Sequence, residues 1–510
     1  MPSWLAPAAV LGAAVLAVVA LLAAGFVRRA VRRSTDRAAR RVVHRFGARI
    51  NRFKLTRKPA VRAALLADAE VALAVAEHAR EHALPEAEVW RRVDEYVDEI
   101  VPHFDVLAYY KFGYAASRVC LNLLYRVSVD YEDLPALERL PDDAIVVYLA
   151  NHRSNADYVV VAFALAGDVS ISYAVGEWAR AFPLEYVFKS FGSYFIRRRY
   201  REPLYHRVLE RYVQLITRHG VTQGIFPEGG LSRDGRLMPG KIGLLDYVLG
   251  VARDPALARR LQLVPVAINY DRVLEDRSLL RELARRETGA RVPRRRQLAE
   301  VAHYVGWNVA RLLTGRWRRY GRAAVTIGRP LAVADWLAEQ AARDGDPSTG
   351  SGQAVLSLAR PERLARVQAL CDLVMSRVGA IIPVTPVPLA CAAVQSFDAD
   401  FIPRDALLRR MGEMREALVE LNAHVLRADR TVEETFDRAW RTLRRRRMLV
   451  RHGGGFVVLP GNRELLSYYA NSIAHLLGPF EAGVRARDAL PMDEAMSGAR
   501  LTANGVGRYT

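Results

Sequence analysis

His152 and Asp157 are the two residues of this 510-residue sequence whose types and spacing most directly suggest chemistry. A neutral imidazole can remove a proton from a hydroxyl group near neutral pH. A carboxylate bonded to the other ring nitrogen fixes the tautomer and stabilises the imidazolium ion that forms. The alternative is structural, with His152 capping a helix or packing in a core. The pair alone does not decide between these two interpretations.

The segments around this pair predict that it lies at a corner between a strand and a helix. The apolar run Ile145–Leu149 is short and has no polar face, which is typical of a buried strand. The next apolar run, Val159–Leu165, is predicted as part of a helix over Asp157–Leu165, with Ser154, Asn155 or Asp157 available to cap its start. Such a corner can bring the two side chains together, at a place where α/β proteins often carry reactive groups.

Two later stretches contain residues that suit an anionic ligand. Gly192–Arg199 combines a glycine and aromatic residues with three arginines, whose guanidinium groups can grip a phosphate. Gly224–Arg233 predicts a short strand and a glycine turn, where backbone N–H groups can approach a phosphate or an oxyanion. In that turn Glu228 could accept from a substrate hydroxyl, and Arg233 could pair with phosphate. Taken alone, neither stretch outweighs the ordinary interpretation of a basic surface or a strand turn.

An apolar strand with an internal proline, Leu263–Tyr270, completes the set. Because Pro265 cannot donate to a strand ladder, the sequence predicts an edge position or a kink for this strand. It could provide an apolar wall for an acyl chain, or it could simply be core. A His/Asp pair, arginines, a Glu-Gly-Gly turn and an apolar wall, in order along the chain, together indicate acyl transfer to a phosphorylated alcohol.

These four stretches resemble sequence blocks of the glycerol-3-phosphate acyltransferase family, of the bacterial membrane and mitochondrial type, within the glycerolipid acyltransferases. His152–Tyr158 matches the family's His-Arg-Ser-x-x-Asp-Tyr block in full. Gly192–Arg198 matches Gly-x-x-Phe-Ile-Arg-Arg, and Val264–Ile268 matches Val-Pro-Val-x-Ile. Phe226–Arg233 matches Phe-x-Glu-Gly-Gly-Arg-Ser-Arg at all but one position. The resemblance covers about residues 90 to 340 of the chain.

The resemblance implies a reaction and a role for the matched residues. His152, oriented by Asp157, would activate the sn-1 hydroxyl of glycerol 3-phosphate for attack on the thioester of acyl-CoA or acyl-carrier protein. The product would be 1-acylglycerol 3-phosphate, in the first step of phospholipid synthesis. No cofactor is implied besides the thioester co-substrate, and no metal site is predicted. The predicted substrate-binding residues are Arg153, Ser154, Gly192, Arg197, Arg198, Glu228, Gly229, Ser232, Arg233 and Lys241, and the predicted acyl-pocket residues are Pro265 and Ile268.

Leu231 is the one departure from the third block, where the family usually has an arginine. The change removes a phosphate contact or a structural contact. Arg233, Arg236 or Lys241 could compensate for it. Dihydroxyacetone phosphate and lysophosphatidate therefore remain alternative acceptors.

The charge of the chain suggests an anionic partner. With 75 Lys and Arg against 55 Asp and Glu, the net charge is +20, which suits anionic lipid, phosphorylated metabolites or nucleic acid. A non-catalytic, basic, membrane-anchored binding protein is therefore the competing class, and Arg444–Arg447 supports it. The intact His/Asp pair and the four blocks argue against that class, so no nucleic-acid partner is expected. The three cysteines have no metal-ligand spacing and no disulfide framework is predicted.

The N-terminal segment Trp4–Val27 predicts a transmembrane helix. It holds no charged residue, and its 24 residues span roughly 36 Å as a helix, enough to cross a bilayer. Arginines follow at once, which by the positive-inside tendency predicts a single-pass protein of the cytoplasmic (inner) membrane with its catalytic domain in the cytoplasm. A cleaved signal peptide would need a basic stretch before the apolar run, and none is present. Membrane lipid is therefore an expected partner.

The chain is predicted to belong to the α/β class, with a central mixed sheet flanked by helices. A helical region, 28–130, follows the anchor and includes a helix from Val106 to Val127. The acyltransferase α/β domain covers 131–340, and a mostly helical region, with a winged-helix-like end as one option, covers 354–510. The sequence makes no prediction of oligomeric state. The predicted strands are Ile145–Leu149, Val169–Val175, Gly224–Phe226, Leu263–Ile268 and Ala323–Ile327, and the predicted helices of this domain are Asp157–Leu165, Tyr205–Arg218, Gly243–Val251 and Gln297–Leu313.

Overall fold

The structure is a computed structural model that describes most of the chain between residues 58 and 478. The predicted transmembrane helix Trp4–Val27 and the predicted helix Gln297–Leu313 lie outside the described residues. Within the described part, no helix combines the length and the hydrophobicity that crossing a membrane requires. The described residues are 58–102, 119, 121–165, 171–176, 193–197, 200–288, 314, 318–343 and 353–478.

An eight-stranded mixed sheet forms the centre of the fold, as the sequence predicts for an α/β domain. The strands lie in the order β1-β7-β6-β2-β5-β3-β4, with β8 also paired to β6. The β6–β7 and β6–β8 pairs are antiparallel, and the other pairs are parallel. The strands are β1 (Arg126–Tyr131), β2 (Ile145–Ala150), β3 (Ser172–Gly176), β4 (Tyr194–Ile196), β5 (Gln223–Ile225), β6 (Leu261–Tyr270), β7 (Arg322–Ile327) and β8 (Leu331–Ala332).

The proline-containing strand β6 is an interior strand, so the predicted edge position is wrong. All ten residues of β6 are buried, and the strand lies between β2 and β7. Pro265 falls in the gap between the segment that pairs with β8 and the segment that pairs with β7. Its carbonyl accepts from the Gly328 N–H at 2.8 Å. Its nitrogen therefore faces the turn between β7 and β8, where the ladder needs no donor.

Strand β1 replaces the end of a predicted helix. Residues 106–118 and 120 of the predicted helix Val106–Val127 lie outside the described residues, but from Arg126 the chain is extended and pairs in parallel with β7. The sequence of β1 alternates polar and apolar residues, a period of two that favours a strand. The helix prediction at Arg126 and Val127 is therefore wrong.

Helices cover the sheet and precede it. In the N-terminal part, Asp68 caps one helix by accepting from the backbone N–H groups of Glu70 and Val71. Asp157–Leu165 forms a helix with the predicted bounds. The helices up to residue 343 are α1 (Lys58–Leu66), α2 (Ala69–His82), α3 (Glu86–Ile100), α4 (Leu134–Glu138), α5 (Asp157–Leu165), α6 (Pro203–Arg218), α7 (Gly243–Leu249), α8 (Pro255–Arg260), α9 (Asp276–Thr288) and α10 (Val333–Arg343), with a 3-10 turn at Gly250–Arg253.

The C-terminal region is mostly helical and includes a small antiparallel sheet. Thr431 caps one of its helices by accepting from the Glu434 N–H at 3.1 Å, and a hairpin follows that helix. The helices are α11 (Gln353–Ser357), α12 (Arg360–Ala380), α13 (Pro386–Gln395), α14 (Arg404–Glu420), α15 (Val432–Arg445) and α16 (Arg463–Ala470), and the strands, in the order β10-β11-β9, are β9 (Phe401–Pro403), β10 (Leu449–His452) and β11 (Gly455–Val458), with a 3-10 turn at Pro460–Asn462.

A buried polar cluster joins the C-terminal region to the sheet domain. Asp276, the first residue of α9, forms an ion pair with Arg446, with 2.9 Å between Oδ1 and Nη2. The Tyr469 hydroxyl donates to the same carboxylate at 2.5 Å. Burial opposes ionisation of Asp276, but the guanidinium and the hydroxyl outweigh it and lower its pKa. The two regions are therefore packed together through a satisfied buried charge and share one core.

Candidate active site

The corner that carries His152 is fixed to the central sheet by the residue before it. Strand β2 ends at Ala150, and the side chain of Asn151 continues its pairing with β6. The Asn151 amide donates to the Ile268 carbonyl at 2.9 Å and accepts from the Ile268 N–H at 2.7 Å. A side chain thus takes the place of a backbone ladder step, and the chain turns away from the sheet at a defined point.

His152 and Asp157 are in direct contact at the start of α5. His152 Nδ1 lies 2.9 Å from Asp157 Oδ2, and both side chains are buried, with exposed fractions of 1% and 0%. The same Oδ2 accepts from the backbone N–H groups of Arg153 at 2.7 Å and Ser154 at 3.0 Å. The carboxylate thus satisfies donors at a helix N-terminus, where negative charge is favoured. With Nδ1 donating to Asp157, Nε2 is the nitrogen that can accept a proton.

Aromatic rings set the plane of the imidazole. The His152 ring stacks on Phe226, with 4.2 Å between centroids and 23° between planes. The Tyr158 ring meets it edge-on at 5.4 Å. Phe226 follows strand β5, and Tyr158 lies in the first turn of α5. Three neighbouring elements therefore hold the ring in one orientation.

Glu228 holds the backbone of His152. Its Oε1 accepts from the His152 N–H at 2.7 Å, and its Oε2 accepts from the Met238 N–H at 3.2 Å. Burial raises the pKa of Glu228 to about 8, although these two donors and the nearby Arg153 favour the charged form. Both carboxylate oxygens already have backbone donors, so a contact between Glu228 and a glycerol hydroxyl stays a prediction.

Two further bonds join the His152 corner to the loop after β5. The His152 carbonyl accepts from the Ser232 N–H at 3.1 Å. The Arg153 guanidinium is buried and donates to the Gly235 carbonyl at 2.7 Å, and it lies 5.8 Å from the centre of the Tyr468 ring. The Ser232 hydroxyl donates to the Arg236 carbonyl at 2.7 Å. Arg153 and Ser232 thus hold loops in this structure, and their predicted contacts with substrate stay predictions.

Ser154 and Glu275 stabilise the other side of the corner. The Ser154 hydroxyl donates to Glu275 Oε2 at 2.7 Å and accepts from the Ala156 N–H at 3.1 Å. Burial raises the pKa of Glu275, as does the nearby charge of Asp157. Ser154 therefore shapes the turn into α5, and substrate binding by Ser154 stays a prediction.

Two of the predicted phosphate ligands, Arg197 and Arg233, are each bonded to a carboxylate. Arg197 forms an ion pair with Glu99 of α3, at 2.9 Å between Nε and Oε1, and lies over the Tyr200 ring at 4.7 Å. This ion pair raises the pKa of Arg197. Arg233 donates to Glu282 of α9 at 2.9 Å. Gly192 and Arg198 lie outside the described residues.

Lys241 lies directly over the glycine turn that follows β5. A Cβ atom added to Gly229 would lie 3.3 Å from Lys241 Nζ, and Gly229 has a φ of +67°. The Lys241 N–H donates to the Pro227 carbonyl at 2.8 Å, and its side chain is exposed. Among the described residues, no carboxylate forms an ion pair with Lys241. This cation is therefore available to an anionic ligand at the turn.

The apolar residues predicted near the site lie in the interior of the fold. Pro265 and Ile268 are buried in β6, so their role in an acyl pocket stays a prediction. Leu231 is partly buried and packs against the core. An apolar side chain at position 231 is thus accommodated by packing. In the described residues, no group of three His, Cys, Asp or Glu side chains is arranged to hold a metal ion.

Three residues that shape the site were not predicted from the sequence. The Tyr270 hydroxyl donates to Asp157 Oδ1 at 2.5 Å, Glu275 supports Ser154, and Asn151 joins β2 to β6. The available signal was the position of polar residues directly after apolar strands, since parallel strand ends meet at one edge of a sheet. Asn151 follows β2, and Tyr270 ends β6.

Comparison with known proteins agrees with this architecture. Residues 133–269 match a family model described as "Acyltransferase", which covers β2, the His152 corner and residues 261–269 of β6. This segment is therefore similar to acyltransferase domains. Residues 307–479 match a second model, "Glycerol-3-phosphate acyltransferase C-terminal region". Over these two segments the chain is similar to the glycerol-3-phosphate acyltransferase family.

Curated relatives carry the same family name. A glycerol-3-phosphate acyltransferase from Aeromonas hydrophila subsp. hydrophila is 28% identical over 411 residues, covering 79% of this chain and 48% of the relative. One from Xylella fastidiosa (strain M12) is 27% identical over 457 residues, covering 87% of this chain and 50% of the relative. The chain thus spans about half the length of the curated relatives it matches.

A solved structure is also similar to this chain at a low level. It is the 1-acyl-sn-glycerophosphate (LPA) acyltransferase, PlsC, from Thermotoga maritima, with 17% sequence identity and a TM-score of 0.28. The match covers 52% of this chain and 77% of that chain. A TM-score this low carries no argument about fold or function.

Proposed function

We propose that this chain transfers a fatty acyl group from a thioester, acyl-CoA or acyl-carrier protein, to the sn-1 hydroxyl of glycerol 3-phosphate. The product is 1-acylglycerol 3-phosphate, in the first step of phospholipid synthesis. The observation that carries the proposal is the buried contact between His152 and Asp157 at 2.9 Å. The name of the matched relatives supports glycerol 3-phosphate as the acceptor. The proposal includes no cofactor besides the thioester co-substrate.

The proposed mechanism begins with proton transfer to His152. Its Nε2 accepts the proton of the acceptor hydroxyl as the oxygen attacks the thioester carbonyl. Asp157, bonded to Nδ1, stabilises the imidazolium ion that forms. The tetrahedral intermediate collapses as the C–S bond breaks, and the leaving thiolate takes the proton from His152. One ester forms, one thioester breaks and the histidine returns to its neutral state.

The acceptor phosphate needs cations, and Lys241 is the best-placed candidate among the described residues. It lies over the turn that includes Glu228, and Glu228 is bonded to the His152 backbone. Arg197 and Arg233 would each exchange a carboxylate partner for the phosphate on binding. Arginine can grip a phosphate with two parallel hydrogen bonds, so such an exchange is chemically favourable. Arg198 is proposed as a further ligand from the sequence alone.

Membrane association is part of the proposal. The lysophosphatidate product carries an acyl chain that partitions into lipid. A net charge of +20 favours anionic headgroups, at about 1 kcal/mol for each basic residue near the surface. The apolar segment Trp4–Val27 and the arginines after it support anchoring in the cytoplasmic membrane with the catalytic domain in the cytoplasm.

Thioester consumption by the detergent-purified chain tests the proposal. The assay offers acyl-CoA and acyl-carrier protein with glycerol 3-phosphate, dihydroxyacetone phosphate or lysophosphatidate, and His152→Ala is assayed in parallel. We expect turnover with glycerol 3-phosphate that is lost in His152→Ala while the variant keeps its fold by circular dichroism. Turnover with only another acceptor would overturn the substrate assignment and keep the chemistry. No turnover with any pair, together with salt-dependent binding of duplex DNA, would favour the basic binding protein.

A further inference from the structure

The Asp157 carboxylate is held through both of its oxygens. Oδ2 accepts from His152 Nδ1 and from the backbone N–H groups of Arg153 and Ser154, at 2.7 to 3.0 Å. Oδ1 accepts from the Tyr270 hydroxyl at 2.5 Å. The Asp157 side chain is fully buried. Tyr270 is thus the donor that the described structure provides for the second oxygen of a carboxylate without access to water.

The bond to Oδ1 restrains rotation of the carboxylate. A carboxylate held only through Oδ2 can turn about its Cβ–Cγ bond, and that motion would shift the partner of His152 Nδ1. Its free oxygen would also be a buried acceptor without a donor, which is unfavourable. With Tyr270 in place, either motion breaks a short hydrogen bond to a charged group. The hydroxyl therefore defines which oxygen faces the imidazole.

Tyr270 is itself fixed by its place in the sheet. It is the last residue of β6 and pairs with Ala323 of β7. Its N–H donates to Asn269 Oδ1 at 2.9 Å, and its ring lies 5.3 Å from the ring of Tyr125. Burial raises the pKa of Tyr270 well above its ordinary value, and so does the nearby Asp157 charge. The Tyr270 hydroxyl therefore stays protonated, and able to donate, at neutral pH.

We propose that Tyr270 is a positioning residue for the acyl transfer: its hydroxyl fixes the Asp157 carboxylate and thereby the tautomer and orientation of the His152 imidazole. This inference rests on the proposed function. Tyr270 does not touch the reacting atoms in this scheme, and it acts through Asp157. The three residues form a chain from the central sheet to the proton-accepting nitrogen, comparable to the orienting role of a third group in other base-assisted transfers.

Tyr270→Phe tests the inference because it removes only the hydroxyl. We expect kcat to fall about tenfold or more, with KM for glycerol 3-phosphate within about twofold, since the lost interaction serves the chemical step and not substrate binding.

We also expect the acid limb of the pH–kcat profile to move to higher pH, because Asp157 with one donor fewer binds the imidazolium ion more tightly. The other ionisable groups around Asp157 and Tyr270 are unchanged in the variant; they include Arg153, Glu228, Glu275, Tyr125 and Tyr468.

Tyr125→Phe is the matched control. Tyr125 is also buried and next to Tyr270, but its hydroxyl donates to the Arg272 carbonyl at 2.8 Å and does not contact Asp157. We expect this variant to lose a similar amount of thermal stability and to keep the wild-type kcat and pH profile. A merely structural role for Tyr270 would make the two variants alike, and that result would overturn the inference.

A second variant covers the case in which Tyr270→Phe does not fold. Replacing Tyr270 by 3-fluorotyrosine keeps the hydroxyl and makes it a stronger donor, so the acid limb should move to lower pH. An unchanged profile would contradict the inference.

His152→Ala distinguishes a failure of the proposed function from a failure of the role of Tyr270. Retained turnover in that variant would overturn the proposed function itself. An inactive His152→Ala beside unchanged Tyr270 variants would overturn only the role of Tyr270.

Discussion

The backbone N–H of His152 donates to Glu228 Oε1 at 2.7 Å, which joins two segments that are 76 residues apart in the sequence. The bond holds the main chain of the proposed base, while Asp157 holds its ring. Main chain and side chain of His152 are thus positioned by two different carboxylates. This division explains why a glutamate and an aspartate both lie in a buried site where each costs desolvation energy.

Glu228→Gln should change how stability depends on pH. The Glu228 carboxyl has a pKa of about 8 in the folded chain and 4.5 as its ordinary value, so the folded chain holds more protons between these limits. The contribution of this carboxyl to the stability of the folded chain is therefore fully present below about pH 4.5 and is lost as the pH rises toward 8. The loss is on the order of 5 kcal/mol, at about 1.4 kcal/mol per pKa unit.

Urea unfolding at several pH values measures this effect. The free energy of unfolding of the wild type, relative to that of Glu228→Gln, should fall as the pH rises from 5 to 8. This is the range between the ordinary pKa of the carboxyl and its pKa in the folded chain. A difference that stays constant over this range would contradict the assignment. Glu416→Gln, at an exposed position of α14, is a suitable control.

Asp157→Asn should reduce kcat by a factor of roughly 10² to 10⁴, as in base–carboxylate pairs of other enzymes. The amide cannot accept from all four donors that converge on the carboxylate, and it disfavours the required tautomer. Initial rates of thiol release measure the loss. Asp405→Asn, at a side chain that is 83% exposed, should leave the rate unchanged. A folded Asp157→Asn with wild-type kcat would remove Asp157 from the mechanism.

Lys241→Met should raise KM for glycerol 3-phosphate about tenfold, with kcat within about twofold, because it removes uniform binding of a charged group. Methionine keeps much of the side-chain length that packs along Gly229. Saturation kinetics with the acceptor varied measure the change. Lys58→Met, at the start of α1, is the control. An unchanged KM would assign the phosphate to the arginines.

Gly235→Ala should destabilise the chain by at least about 2 kcal/mol, through overpacking and strain. Gly235 has a φ of +86°, and an added Cβ would lie 1.9 Å from the Tyr468 carbonyl oxygen. Gly461→Ala is the control, since nothing lies within 4 Å of its Cβ position. The two melting temperatures measure the effect. Equal melting temperatures would show that the loop after β5 does not pack on α16 in this way.

Arg446→Met should cost about 3–5 kcal/mol, because it leaves the buried Asp276 carboxylate without its cation. The double variant Asp276→Asn/Arg446→Met should recover part of this loss, since the uncompensated charge is gone. Chemical denaturation of the single and double variants measures both values. Strictly additive losses would contradict a direct coupling between α9 and the C-terminal region.

Local patterns were sufficient for the main elements of the fold. Strand β2 and helix α5 occur where the apolar runs Ile145–Leu149 and Asp157–Leu165 predict them. Both runs are long enough to bury a face and end at residues that stop the element. Strand β1 was missed because aromatic residues before it extended the helical interpretation, although its own period of two was visible.

The sequence by itself predicted the contact between His152 and Asp157, since their spacing on either side of a turn is a local property of the chain. Tertiary structure alone decided what holds them. Tyr270 is 113 residues from Asp157 in the chain, and Glu228 reaches His152 across another loop. The position of Pro265 in an interior strand was likewise settled by which strands pair on each side. Such contacts depend on the order of strands in the sheet, and sequence periodicity carries no information about that order.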